Sequence, residues 1–181
     1  MDSNSALHDF TQLTPDIHQL IRITIRLVAS LAIGAAIGLQ REWTHKPAGL
    51  RTHMLVGLGT ALILVGVAEA GMDQAAQSRI IQGIVTGIGF LGGGAILKLT
   101  SEREIHGLTT AAGIWMTAAA SAIAGVGQIA VAVIGTLFAL LILTVFHRLE
   151  KDIERHGHGR KSERQPVPGA PRVEEPQDAD Q

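Results

Sequence analysis

The chain has 181 residues, a formal net charge of −1, and 46% hydrophobic residues, of which aromatics supply only 3% of the chain. Its apolar content is therefore Leu, Ile, Val and Ala rather than the ring-rich core of a soluble domain, which points to lipid. Cysteine is absent, excluding disulfides, thiolate chemistry and iron–sulfur clusters, and neither an enzyme motif nor a cofactor, metal or nucleic-acid signature is present.

Residues 1–14 form a polar segment, and Asp2, Asp9 and Asp16 precede the first apolar run without any Lys or Arg. No small-x-small cleavage site follows that run, so it is expected to stay in the mature protein. Thr14, Pro15 and Asp16 read as an N-cap, a first-turn proline and a dipole-favoured acid, which predicts a helix from there to about Arg41. Five apolar runs follow one another: Ile21 to Leu39, Met54 to Ala70, Ile80 to Leu97, Leu108 to Ala124, and Ile129 to Phe146. Each approaches the ~20 residues that span hydrocarbon. The fold class expected is an all-α polytopic membrane protein, with five spans in residues 15–147 and a short tail, 148–181, that is mostly disordered. His156 and His158 in that tail lack further ligands and are read as solvated.

Lys and Arg set the orientation. Arg41, Lys46 and Arg51 lie in the first connection, Lys98 and Arg103 in the third, and Arg148, Lys151 and Arg155 start the tail. All three fall on one side, which places the tail in the cytoplasm and the N-terminus outside. Arg22 and Arg26, one turn apart near the start of the first span, are expected to snorkel to the outer headgroups.

Within the third run, Gly87, Gly89 and Gly92 match the dinucleotide spacing G-x-G-x-x-G, but they lie inside an apolar span rather than after a soluble strand, so a cofactor is not expected. Small residues let membrane helices approach closely. The packing candidates are Gly34 and Gly38 in the first span, Gly57 and Ala61 in the second, and Gly83, Gly87, Gly89, Gly92, Gly93 and Gly94 in the third. The fourth carries a row at Thr109, Gly113, Thr117, Ser121 and Gly125. That row is predicted to pack on the glycine face of the third span through Gly89 and Gly93. Three consecutive glycines, Gly92 to Gly94, leave a second reading open, a broken helix whose free backbone groups face an ion.

Polar residues gather in two corners, Gln40 to His53 and Thr100 to Thr110. Each leads into the next span through a Gly-Leu-x-Thr step, Gly49 to Thr52 and Gly107 to Thr110, 58 residues apart. At the same offset Gly34 meets Gly92, Leu39 meets Leu97 and Ala61 meets Ala119, so a tandem two-helix repeat stands beside chance identity between glycine-rich segments.

The segments "LAIGAAIGLQRE", "AGLRTHMLVGLGTAL", "GIGFLGGGAIL" and "IHGLTTAAGIWMTAA" resemble, in order, the signature segments of the MgtC/SapB family of bacterial inner-membrane proteins. The resemblance covers Leu27 to Phe146. It implies a five-helix membrane domain and, for the founding members, a role in growth at low magnesium, survival inside macrophages and virulence, and restraint of the cell's F-type ATP synthase. Those members continue into a folded ACT-like cytoplasmic domain, whereas about 35 residues remain here, so functions residing in that domain are not carried over.

The candidate polar cluster is Arg41, Glu42, Arg51, Thr52, His53, His106, Thr109 and Thr110, with Trp115 two turns into the fourth span. Taken singly, Arg41, Arg51 and Lys98 read as positive-inside anchors, with Glu42 paired to one of them and the histidines interfacial. Taken together, they read as a site that attracts an anionic group, with Arg51 as its fork. The partners expected are the bilayer and another membrane protein, a second copy of the chain, or both. The chain is read as a regulator of such a partner, with a magnesium or small-ion transporter as the alternative. Magnesium prefers carboxylates, and no Asp or Glu lies near the middle of any span.

Overall fold

A computed structural model describes residues 16–98 and 105–158. Five helices appear in chain order: α1 (Ile17–Trp43), α2 (Leu50–Glu69), α3 (Gln74–Gly94), α4 (Leu108–Val126) and α5 (Ile129–His158). Between α3 and α4, two residues of each arm pair as an antiparallel hairpin, β1 (Leu97–Lys98) with β2 (Ile105–His106). Residues up to Thr144 make one compact unit, and the chain from Val145, which carries the end of α5, makes a second. The helix runs to His158, into the segment read as tail.

The helix ends follow from local chemistry. Asp16 is the N-cap residue of α1 but makes no side-chain cap bond; Thr14 and Pro15 lie outside the described residues. The α1 terminus closes as a Schellman turn, in which the Lys46 amide donates to Arg41 O and the His45 amide to Glu42 O. His45 takes the left-handed position at φ 53°, a place usually given to glycine. The same turn ends α2, with Gly71 at φ 65° and Met72 donating to Val67 O. Asp73 then caps α3, its carboxylate accepting from the Ala76 amide at 2.7 Å.

Three helices are long and apolar enough to cross a membrane, α1, α2 and α4, and Ile129–Val145 of α5 is a shorter apolar stretch. This is an all-α membrane protein. The third run, predicted to span from Ile80, is instead a helix from Gln74 whose first turns hold Gln77, Ser78, Arg79 and Gln82, and it is not among the three.

The tight core is made by α1, α2 and α4. A Cβ on Gly34 would lie 2.5 Å from His53 O, and one on Gly38 would lie 2.8 Å from Leu50 Cα, so α1 and α2 cross backbone against backbone. The three helices converge at Gly57, where a Cβ would lie 2.9 Å from both Ser121 Oγ of α4 and Ser30 O of α1. A Cβ on Gly125 would lie 3.1 Å from Ala61 Cα. Ala132 of α5 joins Ile33, Ile37, Ala120 and Ala124 in one apolar cluster, while α3 meets α4 through Ile88, Ile114 and Ala118.

Two expectations about the glycines are corrected here. The row Gly113, Thr117, Ser121 and Gly125 is buried, but against α2 and α1, with Gly113 facing His53, Ser121 facing Gly57, and Gly125 facing Ala61. On α3, Gly83, Gly87, Gly89, Gly93 and Gly94 have nothing within 4 Å of a Cβ position, and Gly92 alone reaches α4, at 3.6 Å from Ala111 Cβ. The reason is register: α4 has one small face, and α2, with His53, Gly57 and Ala61 spaced one turn apart, fills it. Gly92 to Gly94 are also helical throughout, and the Ala95 amide still donates to Leu91 O at 3.1 Å, so α3 ends there without an unwound turn.

Candidate functional site

The C-terminal end of α1 and the N-terminal ends of α2 and α4 enclose polar groups that the small-residue crossings bury. Arg41, two residues before the end of α1, is 2% exposed. Its Nη2 donates to Thr110 Oγ1 in the first turn of α4 at 2.6 Å. Nε of the same guanidinium is buried with no partner among the described residues.

His53, in the first turn of α2, is 0% exposed. Its Nδ1 lies 3.1 Å from Gly49 O, and because a carbonyl only accepts, Nδ1 carries the proton. That leaves Nε2 as the ring's second nitrogen, and it too is buried without a partner. It points at α4, where a Cβ on Gly113 would stand 3.4 Å away. A side chain starting at Gly113 would therefore begin at about van der Waals contact with the imidazole.

Below His53 the polar seam continues as hydroxyls. Thr117 Oγ1 donates to Gly113 O at 2.9 Å, and Ser30 Oγ donates to Arg26 O at 2.9 Å. Ser121 Oγ is buried without a partner. At the far end, Arg26 folds over the α4–α5 turn, within 3.1 Å of the Cβ position of Gly127. There a cation meets the negative end of the α4 dipole. Arg22 is exposed.

Glu42 is exposed and is committed elsewhere: its Oε2 accepts the Leu50 amide at 3.1 Å, which caps the start of α2. A Cβ on Gly49, the N-cap residue, would meet that carboxylate, the far end of a flexible side chain. Among the described residues no ion pair joins Glu42 to Arg41 or Arg51.

Of the predicted cluster, the fold brings together Arg41, His53 and Thr110. Thr52 is exposed but lines, with Thr110, a groove of about 520 Å3 between α2, α3 and α4. Arg51 and Thr109 are exposed, and Trp115 is 48% exposed on the side of α4 turned from the seam. His106 stands in β2 opposite Leu97, and its side chain, like those of Lys98 and Arg103, lies outside the described residues. Two seam residues were missed in the sequence, Ser30 and the functional place of Gly57. Ser30, Gly34 and Gly38 form one row at four-residue spacing, as His53, Gly57 and Ala61 do, and that spacing was the available signal.

The sequence model of the MgtC family matches residues 27–152. This chain belongs to the MgtC family. It is 41% identical over 140 residues to Protein SrpB of Synechococcus elongatus, covering 71% of this chain and 77% of SrpB. With the protein of Escherichia coli K12 named "Putative magnesium transporter YhiD", the identity is 42% over 135 residues, 69% of this chain and 60% of that one. With Protein MgtC of Salmonella typhimurium it is 37% over 116 residues, 64% of this chain but 48% of MgtC. No solved structure matches the chain. Arg41, His53 and the small-residue rows all lie within the family span.

Proposed function

We propose that this MgtC family member is a regulator in the bacterial inner membrane, crossing it five times with its N-terminus outside, and that it acts by binding another membrane protein along α3. The observation that carries the reading is the state of α3 itself. Of its 21 residues only Ile88 and Gly92 are buried, and Gly83 and Gly87 floor an open groove of about 760 Å3 between α2 and α3. Glycines weaken a helix by about 1 kcal/mol each relative to alanine, and among the described residues nothing packs within 4 Å of a Cβ position at Gly83, Gly87, Gly89 or Gly93 to offset that cost. A partner helix that used them for close approach would. The partner is a membrane protein whose activity is adjusted during growth at low magnesium, of ATP synthase or transporter type.

The name carried by YhiD favours a second reading, magnesium transport. The interior polar groups here are a guanidinium, an imidazole and hydroxyls, a set suited to anions more than to Mg2+.

The test is growth at low magnesium of a bacterium lacking its own family member and supplied with this chain. Gly83→Leu with Gly87→Leu, which fills an open groove, is expected to accumulate normally and to lose growth support. Full support would remove the α3 interface. Saturable Mg2+ uptake into proteoliposomes of the purified protein would give first place to transport. Reporters fused after Gln128 and after Lys151 should score on opposite sides, and a shared side would remove the fifth crossing.

A further inference from the structure

Three facing pairs set the direction of the helices. His53 meets Gly113, Gly57 meets Ser121 and Ala61 meets Gly125, so α2 and α4 run parallel. The chain that leaves α2 at Glu69 must return to the opposite end before α4 starts at Leu108, and α3, 21 residues or about 31 Å long, makes that return. The hydrocarbon of a bilayer is about 30 Å thick. Gln82, the ninth residue of α3, stands about 12 Å from its start and about 18 Å from its end, and it is exposed. Gln82 and Thr86 lie about 200° around the helix from Ile84 and Ile88, which pack on α4. Both are turned to lipid.

A carboxamide in hydrocarbon has no water to bond, and acyl tails carry neither donor nor acceptor, so it is costly until another polar group meets it. The group is both at once, since its oxygen accepts and its NH2 donates. A second copy of the chain, inserted in the same orientation, brings the same group to the same depth. About a two-fold axis along the membrane normal, each Gln82 donates Nε2–H to the other's Oε1, and one reciprocal pair satisfies both. The stripe continues through Thr86, Gly89 and Gly93 at spacings of four, three and four residues, the seam spacing of a left-handed helix pair. Small residues, alanine and threonine as well as glycine, permit that approach. The Thr86 hydroxyl donates to Gln82 O at 2.9 Å within the helix and so asks nothing of lipid. Phe90, 83% exposed, projects beside Gly89 and Gly93, where nothing lies within 4 Å of a Cβ position, so one surface carries both a projection and a recess. Arg79 lines the groove toward α2, which keeps the two copies' cations off the axis.

We infer that two copies of this chain pair in the membrane through the α3 stripe Gln82, Thr86, Gly89 and Gly93, with the two Gln82 side chains hydrogen-bonded across the axis. The inference rests on the reading of α3 as an interface and divides that interface in two. The groove floored by Gly83 and Gly87 faces α2, about a quarter turn round the helix, and stays open to the other partner.

The chain has no cysteine, so a single introduced one reports proximity. Thr86→Cys, on the stripe, is compared with Leu137→Cys, at a residue 61% exposed on α5, in membranes of the expressing bacterium treated with copper–phenanthroline. Per molecule of chain, Thr86→Cys should give a disulfide-linked dimer at several times the yield of Leu137→Cys. Adding Gln82→Leu, which suits both lipid and helix, should cut that yield several-fold without loss of accumulation. Equal yields from the two cysteines, or a Thr86→Cys yield that Gln82→Leu leaves unchanged, overturns the pair. Gly83→Leu with Gly87→Leu should keep the cross-link while losing growth support. Growth support retained with the cross-link retained removes the groove partner and leaves the pair standing, whereas a cross-link lost in that variant overturns the assignment to the stripe.

Discussion

The two hairpins α1–α2 and α3–α4 place glycines at the same register to opposite ends. Gly34 and Gly92 are 58 positions apart, as are the residues they face, His53 and Ala111, and the glycines that start α2 and α4, Gly49 and Gly107. In the first hairpin the backbones touch: a Cβ on Gly34 would lie 2.5 Å from His53 O. In the second, the equivalent contact is 3.6 Å, Cβ to Cβ, ordinary van der Waals distance. Matching crossings at equivalent positions support the reading of the chain as a tandem pair. The difference teaches that a glycine in a membrane helix marks either a contact already made or a surface left open, and only the facing residue tells which.

The largest effect expected from this difference is at the crossing itself. In Gly34→Ala the added methyl meets main chain that cannot rotate away, so the variant should lose about 3 kcal/mol and accumulate poorly. Gly92→Ala at the equivalent place should be neutral or stabilising by up to ~1 kcal/mol. Thermal melts of the two purified variants check the pair, and equal losses would break the comparison.

Next comes the polar contact that the second hairpin lacks, since Ala111 stands where the first has His53. Gly113→Ala puts a methyl at 3.4 Å from His53 Nε2, and an imidazole hemmed in on every side should yield at a cost of about 1–2 kcal/mol. His53→Ala removes the obstacle and leaves a cavity, costing a further few kcal/mol on its own. In the double variant the methyl occupies part of that cavity, so the losses should be less than additive by at least ~0.5 kcal/mol in a double-mutant cycle. Strict additivity would mean that the two residues do not touch.

Helix starts give a third contrast. Glu42→Ala should cost about 1 kcal/mol by uncapping α2, whereas α4 has no side-chain cap to lose. The smallest effects belong to the open face: Gly89→Ala and Gly93→Ala should leave the melting temperature unchanged or raised, as the space around both is empty. A clear loss of stability in either would show that α3 is packed inside the unit after all.

Much of the helical frame could be read from hydropathy. Four of the five apolar runs coincide with apolar helices, and the ends at Gly71 and Asp73 are local turn and cap chemistry. The third run likewise falls on one helix, α3, which starts six residues earlier, at Gln74, with polar first turns. The Schellman turn at His45 and the two-residue hairpin at Leu97 give no comparable signal, since a non-glycine left-handed residue and a minimal ladder are set by where the flanking helices lie.

The sequence by itself determined the lipid-suited composition, the small-residue rows and the residue types of the polar corners, because each is a matter of spacing along one chain. Only the tertiary structure decided which row meets which. Periodicity fixes the face of a helix on which Gly113 or Gly93 stands, but not the neighbour across from it, and α2 wins the α4 row because its own His53, Gly57 and Ala61 match it in step. Likewise, nothing in "LQREW" separates Arg41 from Glu42: a turn of about 100° per residue around α1 sends the first into the bundle, 2% exposed, and the second out to cap α2.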